Sequence, residues 1–136
     1  MPTTPSARVR AVVDHLRADE RLWPLFRRRI QAAPPDDPCF PYLTVEPARD
    51  FAMRVCVVSD FGDSREVQLL LAKVRDSLDD SGLARVTFSD WFRSAVHPSQ
   101  HLGVLRVRLS WRAAARNGYR PPVLATAPAT APAGAC

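Results

Sequence analysis

The chain has 136 residues, of which 46% are hydrophobic, so it is long enough to fold as one domain around a single core. No apolar run approaches the roughly 20 residues that a membrane-spanning helix needs. The N-terminal stretch MPTTPSARVRAVV lacks the pattern of a secretory signal. Together these two observations predict a cytoplasmic protein. Nineteen basic and fourteen acidic residues give a net charge of +5, but every acidic residue lies at or before Asp90, and the basic C-terminal end raises the question of nucleic-acid binding.

Two helices are predicted in the first third of the chain. Pro5 is acceptable in a first helical turn. Apolar residues then recur at helical spacing at Val9, Val12, Val13 and Leu16. We therefore expect an amphipathic helix over residues 5–18. Asp19 can cap a second, shorter segment. This segment presents Leu22, Trp23, Leu25 and Phe26. Residues 33–38 contain three prolines and should form a loop.

Two strands and a long helix are predicted in the middle of the chain. Residues 40–46 form a short strand, and residues 53–59 (MRVCVVS) form a β-branched, well-buried strand. A D-x-x-E capping-box spacing begins at Asp63. Apolar residues follow at helical intervals at Val67, Leu70, Leu71, Val74 and Leu78. Because Gly82 ends the segment, the pattern predicts a helix over residues 64–80.

Two more strands are predicted before a tail without periodicity. Residues 83–92 alternate, with one face formed by Ala84, Val86, Phe88 and Phe92. Residues 101–112 alternate more sharply, with Gly103, Leu105, Val107, Leu109 and Trp111 opposite Arg106, Arg108, Ser110 and Arg112. The short loop between these segments predicts an antiparallel pair. Residues 113–136 are rich in Ala, Pro and Thr, so we expect a disordered tail behind a domain formed by residues 1–112.

The predicted elements follow one another in the order α-α-β-β-α-β-β. Only one face of each alternating strand is apolar, so the helices should cover one face of the sheet and leave the other face polar. The expected fold class is therefore α+β, with a small, mostly antiparallel sheet and helices packed on one face.

No catalytic constellation is present in the sequence. There is no G-x-S-x-G elbow, phosphate-binding glycine loop or H-E-x-x-H motif, and the chain has only five glycines. His15 is predicted on the exposed side of the first helix, and His97 and His101 are predicted in a loop without a third metal ligand nearby. The aromatic residues of the last two strands are interpreted as core anchors: Trp91, Phe92 and Trp111. We therefore expect a protein that docks against other proteins, with no catalysis, metal or cofactor.

A stripe of arginines is the strongest feature outside the predicted core. Arg106, Arg108 and Arg112 share the polar face of the last strand. This stripe fits a solvated sheet face, a subunit interface, where arginine is enriched, or a surface for nucleic-acid phosphates. No aromatic residue is interleaved with the stripe to stack bases, which weakens the last interpretation. Together with Arg54 of the buried strand, these arginines are the candidate interface with another subunit or partner.

Several short motifs follow one another along the chain. They are a D-x-x-L-x-x-L-like segment at residues 19–25, an F-P-Y-x-x-[IV] strand at 40–45, an R-E-x-x-x-L-x-x-x-V helix at 65–74 and an H-x-G-V-L-R-x-R strand at 101–108. In this order and spacing they resemble the tail-completion, or tail-terminator, family of long-tailed bacteriophages and phage-derived gene transfer agents. The resemblance covers roughly residues 8–112. Two departures are the short linker at residues 47–52, where relatives often carry a longer hairpin, and the Ala/Pro-rich tail.

The resemblance implies a ring, usually six-fold, at the head-proximal end of the tail tube. Such a ring would stop polymerisation of the tube by occupying the face on which the next tube ring assembles, and would meet the head connector or stopper. The implied partners are copies of this chain, the major tail tube protein and the connector, with no membrane. Genomic DNA would pass through the lumen without specific binding. The implied location is the virion tail, after assembly in the host cytoplasm.

Two classes of function stay open at this point. Arginines that lined the lumen of such a ring would hinder the sliding of DNA, so the ring hypothesis assigns Arg106 and Arg108 to contacts between proteins. The alternative is a small nucleic-acid-binding module that uses the basic C-terminal half of the chain.

Overall fold

The computed structural model describes residues 5–49 and 52–109. These ranges contain α1 (Pro5–Ala18), α2 (Trp23–Phe26), β1 (Ile30–Gln31), β2 (Tyr42–Pro47), β3 (Ala52–Ser59), α3 (Arg65–Ser81), β4 (Ala84–Arg93) and β5 (His101–Leu109). All seven predicted elements are present in the predicted order, and β1 is added to them. Trp111, Arg112 and the predicted tail (residues 113–136) lie outside the described residues. None of the helices in the described ranges is long and apolar enough to span a membrane.

The five strands form one sheet in the order β1-β2-β3-β5-β4. β1 runs parallel to β2, and the other three neighbouring pairs are antiparallel, so the mostly antiparallel α+β fold is confirmed. The last two predicted strands pair with each other as expected, and β5 also pairs with β3. The two-residue strand β1 lies at the edge, where the N–H of Leu43 donates to the carbonyl of Arg29 at 2.8 Å. Two residues are too few to show a period, and β1 was therefore not predicted.

The core lies between one face of the sheet and a layer formed by α1 and α3. The helices bury the apolar stripes that their spacing predicted: Val9, Val12, Val13 and Leu16 of α1, and Val67, Leu70, Leu71, Val74 and Leu78 of α3. The sheet contributes Leu43, Val45, Met53, Val55, Val57, Leu105, Val107 and Leu109. Each fully buried side chain of this size stabilises the fold by about 1.5–3 kcal/mol. We call the opposite face of the sheet, turned away from α1 and α3, the open face.

The two ends of α3 are fixed by different interactions. A carboxylate oxygen of Asp63 accepts the N–H of Arg65 at 2.9 Å. The predicted capping box does not close, because Glu66 instead accepts the hydroxyl of Ser59 at 2.7 Å and so ties the helix to the end of β3. Gly82 has a left-handed φ of 67°, which glycine adopts without strain, and it ends the helix as predicted.

Two histidines differ from their predicted positions. His15 is partly buried rather than exposed, and its Nε2 lies 3.2 Å from both the carbonyl oxygen and the Oγ of Ser77 in α3. His101 is the first residue of β5, as the predicted strand over residues 101–112 has it, and not part of the preceding loop, and it is 3% exposed. Both histidines contact elements that are distant in sequence, and the local pattern of apolar residues carries no information about such contacts.

A β-bulge at Thr87 changes which side chains of β4 point toward the helices. Val86 lies across from Val107, and Phe88 lies across from Arg106, so that β4 has one extra residue between two consecutive partners in β5. Side chains alternate between the two faces of a strand, so one extra residue shifts this alternation by one position. Beyond the bulge, the positions that would have faced the helices therefore lie on the open face, and the remaining positions face the helices.

The bulge overturns the predicted burial of the aromatic residues in β4. Ala84, before the bulge, faces the core as predicted. Phe88 and Phe92, after it, lie on the open face and are 50% and 49% exposed. Trp91 lies on the helix side, at the edge of the sheet, and is 39% exposed. The interpretation of Trp91 and Phe92 as core anchors is therefore wrong.

A candidate interface on the open face of the sheet

The open face carries arginines on three adjacent strands. Arg54 of β3 lies directly across from Arg106 of β5, and Arg108 of β5 lies directly across from Arg85 of β4. The intervening residues of β5 are buried, so that Arg106 and Arg108 both point away from the core. The structure thus brings together Arg54, Arg106 and Arg108, three of the four predicted interface residues. The fourth, Arg112, lies outside the described residues.

Arg85 belongs to the same group and was not predicted. It alternates with the buried Ala84 in the predicted strand, and this alternation was the one feature of the sequence that could have placed Arg85 on the polar face. Its importance comes from the register between β4 and β5, which places it across from Arg108. Sequence spacing does not fix that register because the bulge at Thr87 intervenes.

The four arginines differ in how their charge is compensated. The Nη2 of Arg54 donates to Oε2 of Glu46 at 2.6 Å across the β2–β3 pair, and this hydrogen bond is the main reason why the pKa of Arg54 is raised. No carboxylate in the described ranges lies within 4.0 Å of the guanidinium groups of Arg85, Arg106 or Arg108. Three adjacent cations of the open face are therefore left without an ion pair in the described part of the chain.

Two aromatic rings lie beside these cations. Phe88 lies across from Arg106, and Phe92 lies across from Leu102, on the same face. A cleft of about 340 Å³ lies between them and is lined by Ala48, Arg54, Phe88, Asp90, Phe92, Val104 and Arg106. No aromatic residue is interleaved with the arginines within β5, as the sequence shows, but β4 places two rings beside them, which the sequence did not predict. Arginine and aromatic side chains are enriched in protein–protein interfaces and among the residues that contribute most to binding energy.

Cys56 lies on the same face, between Thr44 of β2 and Val104 of β5 in the register. Its thiol is free and partly buried. Burial raises its pKa above the ordinary value, so the thiol stays protonated at neutral pH. Cys56 therefore contributes a partly buried, apolar side chain to the open face.

A buried polar group lies at the other face, where β3 and β5 meet the start of α3. Ser59 is across from His101, and both side chains are almost fully buried. The hydroxyl of Ser59 donates to Glu66, so this contact joins strand to helix. Both side chains are thus shielded from solvent in this structure. In the described ranges, no group of three His, Cys, Asp or Glu side chains is placed to hold a metal ion.

Comparison with known proteins gives one informative match. No protein-family model matches the sequence, and no curated protein matches it significantly. Among solved structures, this chain is similar to a chain of a particle described as the virion of a native gene transfer agent. The TM-score is 0.60 at 19% sequence identity, and the similarity covers 74% of this chain and 92% of that chain. At this level of identity the two chains share a fold.

Proposed function

We propose that this protein is a structural component of a phage-type virion, in an infectious phage or a gene transfer agent. In this proposal it forms a ring at the head-proximal end of the tail tube, terminates polymerisation of the tube, and joins the tail to the head connector. The observation that carries the proposal is the shared fold with a gene transfer agent virion chain, which extends over 92% of that chain. The order of the sequence motifs, which resembles the tail-terminator family, adds independent support.

The proposed mechanism is capping, with no bond made or broken. Copies of the chain close into a ring, most simply six-fold, through a head-to-tail interface that repeats around the axis. One side of the ring occupies the end of the tube formed by the major tail tube protein, so the next tube ring has no template. The other side meets the connector or stopper, and genomic DNA passes through the lumen without specific binding. Such a protein is not an enzyme.

The open face is the proposed contact between subunits or with a neighbouring virion protein. Arg54, Arg106 and Arg108 support this assignment because they lie together beside two exposed rings, and because two of them lack an ion pair within the described residues. An arginine-lined lumen would hold the DNA backbone and slow its passage. For this reason we assign the arginines to protein contacts rather than to the lumen.

Capping is tested with the purified protein and its tail tube protein. We expect rings in negative-stain images and, at substoichiometric amounts, tubes that stop growing with one ring at one end. The variant Arg106→Glu/Arg108→Glu should form fewer rings and leave the tubes long. The matched control is Arg10→Glu/Arg93→Glu, which makes the same change in net charge away from the open face and should behave as wild type. Wild-type protein that forms no ring and leaves tube growth unchanged contradicts the proposal.

A nucleic-acid-binding module is the second candidate function, and one observation favours it. Phe88 and Phe92 lie beside Arg106, and rings next to cations can stack bases while the cations contact phosphates. Asp90 and Glu46 on the same face oppose it because they repel phosphates. A gel shift with labelled single-stranded and duplex DNA at increasing salt separates the two functions. Binding that is tight at low salt, falls steeply with salt and is lost in Arg106→Glu/Arg108→Glu would support this candidate.

A further inference from the structure

The arginines of the open face are arranged unfavourably for an isolated subunit. Arg54 lies across from Arg106, and Arg85 lies across from Arg108, and like charges at directly opposed positions of a sheet destabilise it. Glu46 compensates Arg54, but the other three cations have no ion pair among the described residues. An anionic surface from outside the subunit removes this repulsion.

The outward side of α3 carries carboxylates that are also placed unfavourably. Asp76, Asp79 and Asp80 lie in the last two turns, and the last turn contains no basic residue. Negative charge at the C-terminal end of a helix is disfavoured by the helix dipole. Asp79 and Asp80 form ion pairs with Arg75 and Arg21, at 3.7 and 2.7 Å, and the side chains of both remain at least half exposed. Asp76 is exposed and has no ion pair within the described residues, and the exposed Lys73, one turn before it on the same side of the helix, is the cation that a docked partner would also meet.

The same side of α3 also carries apolar surface. Leu69 is 51% exposed and Ala72 is exposed, and both lie about one to three turns before the carboxylates. The core-facing residues of α3 lie on the opposite side of the helix, so this stripe points to solvent. We call Leu69, Ala72, Asp76, Asp79 and Asp80 the outer stripe of α3.

The outer stripe and the open face have matching dimensions. Along α3, Leu69 precedes Asp76 by about 10 Å and Asp80 by about 16 Å, at a rise of about 1.5 Å per residue. Along the sheet, Arg106 and Arg108 lie about 13 and 20 Å from the row that contains Phe92, at about 3.3 Å per residue. A helix laid along β5 with Leu69 at the row of Phe92 therefore brings Asp76 and Asp80 to within about 4 Å, along the strand, of the rows that contain Arg106 and Arg108.

We propose that the outer stripe of α3 in one copy of this chain docks on the open face of the next copy. The two surfaces lie on opposite sides of the subunit, because α3 covers the other face of the sheet. The contact is therefore head-to-tail, and such contacts close identical subunits into a ring when the rotation from one copy to the next closes, and give an open filament otherwise. This inference rests on the proposed function, which requires a ring, and adds the identity of both surfaces.

The test uses charge exchange in the full-length chain. The variants Arg106→Glu/Arg108→Glu and Asp76→Arg/Asp80→Arg should each fold, by circular dichroism, and each should self-associate at least about tenfold more weakly in light scattering. Mixing the two variants in equal amounts should restore assembly, because every contact in an alternating ring is then between opposite charges. The variant that combines all four substitutions should also assemble alone. Arg10→Glu/Arg93→Glu serves as the control and should leave assembly unchanged.

Several outcomes overturn the inference. They are a wild-type protein that stays monomeric at all concentrations, single-surface variants that assemble normally, and two folded variants that fail to restore each other. Loss of DNA binding in Arg106→Glu/Arg108→Glu with self-association unchanged assigns the arginines to nucleic acid and also overturns it. The tube-growth assay separates this inference from the proposed function. Rings restored by charge exchange that do not cap tubes reject only the function, and capping by wild type without restoration rejects only the pairing of surfaces.

Discussion

Arg85 and Arg108 hold two positive charges at directly opposed positions of β4 and β5. The substitution Arg85→Glu replaces this repulsion by a cross-strand ion pair. We expect it to raise the free energy of unfolding of the monomer by about 0.2–1 kcal/mol at low salt. Urea denaturation monitored by circular dichroism measures the change. At about 1 M NaCl the gain should largely disappear, since exposed charges are then screened. A loss of stability at low salt would show that the two guanidinium groups do not repel each other.

Asp19 gives a pH-dependent contribution to stability. Its carboxylate accepts the Nε and Nη2 of Arg21 at 3.1 and 3.0 Å and the N–H of Arg21 at 2.9 Å. Burial raises the pKa of this carboxyl, but hydrogen bonds from Arg21 and Ser77 outweigh burial and lower the pKa from 3.8 to about 2. The stabilisation is therefore present above the unfolded-state pKa and is lost as the pH falls through the folded-state pKa.

The variant Asp19→Asn should be less stable than wild type by about 1–2 kcal/mol at neutral pH. The difference should shrink between about pH 4 and pH 2, because wild type loses its ionised carboxylate there. Urea unfolding at several pH values checks this expectation. Asp14→Asn is the control, since Asp14 has only a 4.0 Å ion pair with the highly exposed Arg10. A stability gap for Asp19→Asn that stays constant down to pH 2 contradicts the assignment.

At the scale of elements, Gly103 determines how closely α3 approaches the sheet. A Cβ atom at this position would lie 2.6 Å from the Cγ and Cδ2 atoms of Leu71. Gly103→Ala therefore forces Leu71 to move, and we expect a loss of about 1–3 kcal/mol in the free energy of unfolding. Leu71→Ala leaves a cavity and is destabilising by itself, by about 2–5 kcal/mol. In the double variant the added methyl group occupies part of that cavity, so the two losses should sum to more than the measured loss. Strict additivity would show that the two side chains do not compete for space.

At the scale of the whole molecule, the charge distribution predicts how assembly responds to salt. The open face carries three arginines without an ion pair in the described ranges. The outer stripe of α3 carries three carboxylates, two of which also form ion pairs within their own subunit. Raising NaCl from 0.1 to 1 M shortens the Debye length from about 10 Å to about 3 Å. Self-association should then weaken by about tenfold, as measured by sedimentation at several protein concentrations. Association that strengthens with salt would indicate a mainly apolar interface instead.

The helices and the fold class could be predicted because their causes are local. The helix α1 occupies the predicted residues 5–18, and α3 ends before Gly82, because apolar spacing and the conformational freedom of glycine act within a few residues. The open face was only half predicted. Alternation in β5 revealed Arg106 and Arg108, whereas Arg85, Phe88 and Phe92 depend on the bulge at Thr87. A bulge is set by pairing between strands, and the alternation of β4 alone does not report it.

The bulge at Thr87 also divides β4 into two parts that are under different selective pressures. Ala84 and Val86, before it, are held by the interior of their own subunit, so substitutions there should reduce the amount of folded protein. Phe88 and Phe92, after it, face outward, so substitutions there should spare expression and alter only what the protein recognises. A mutational scan of β4 should therefore show a sharp change in tolerance at Thr87. When a new partner is acquired during evolution, residues after the bulge can be substituted while the residues before it are retained.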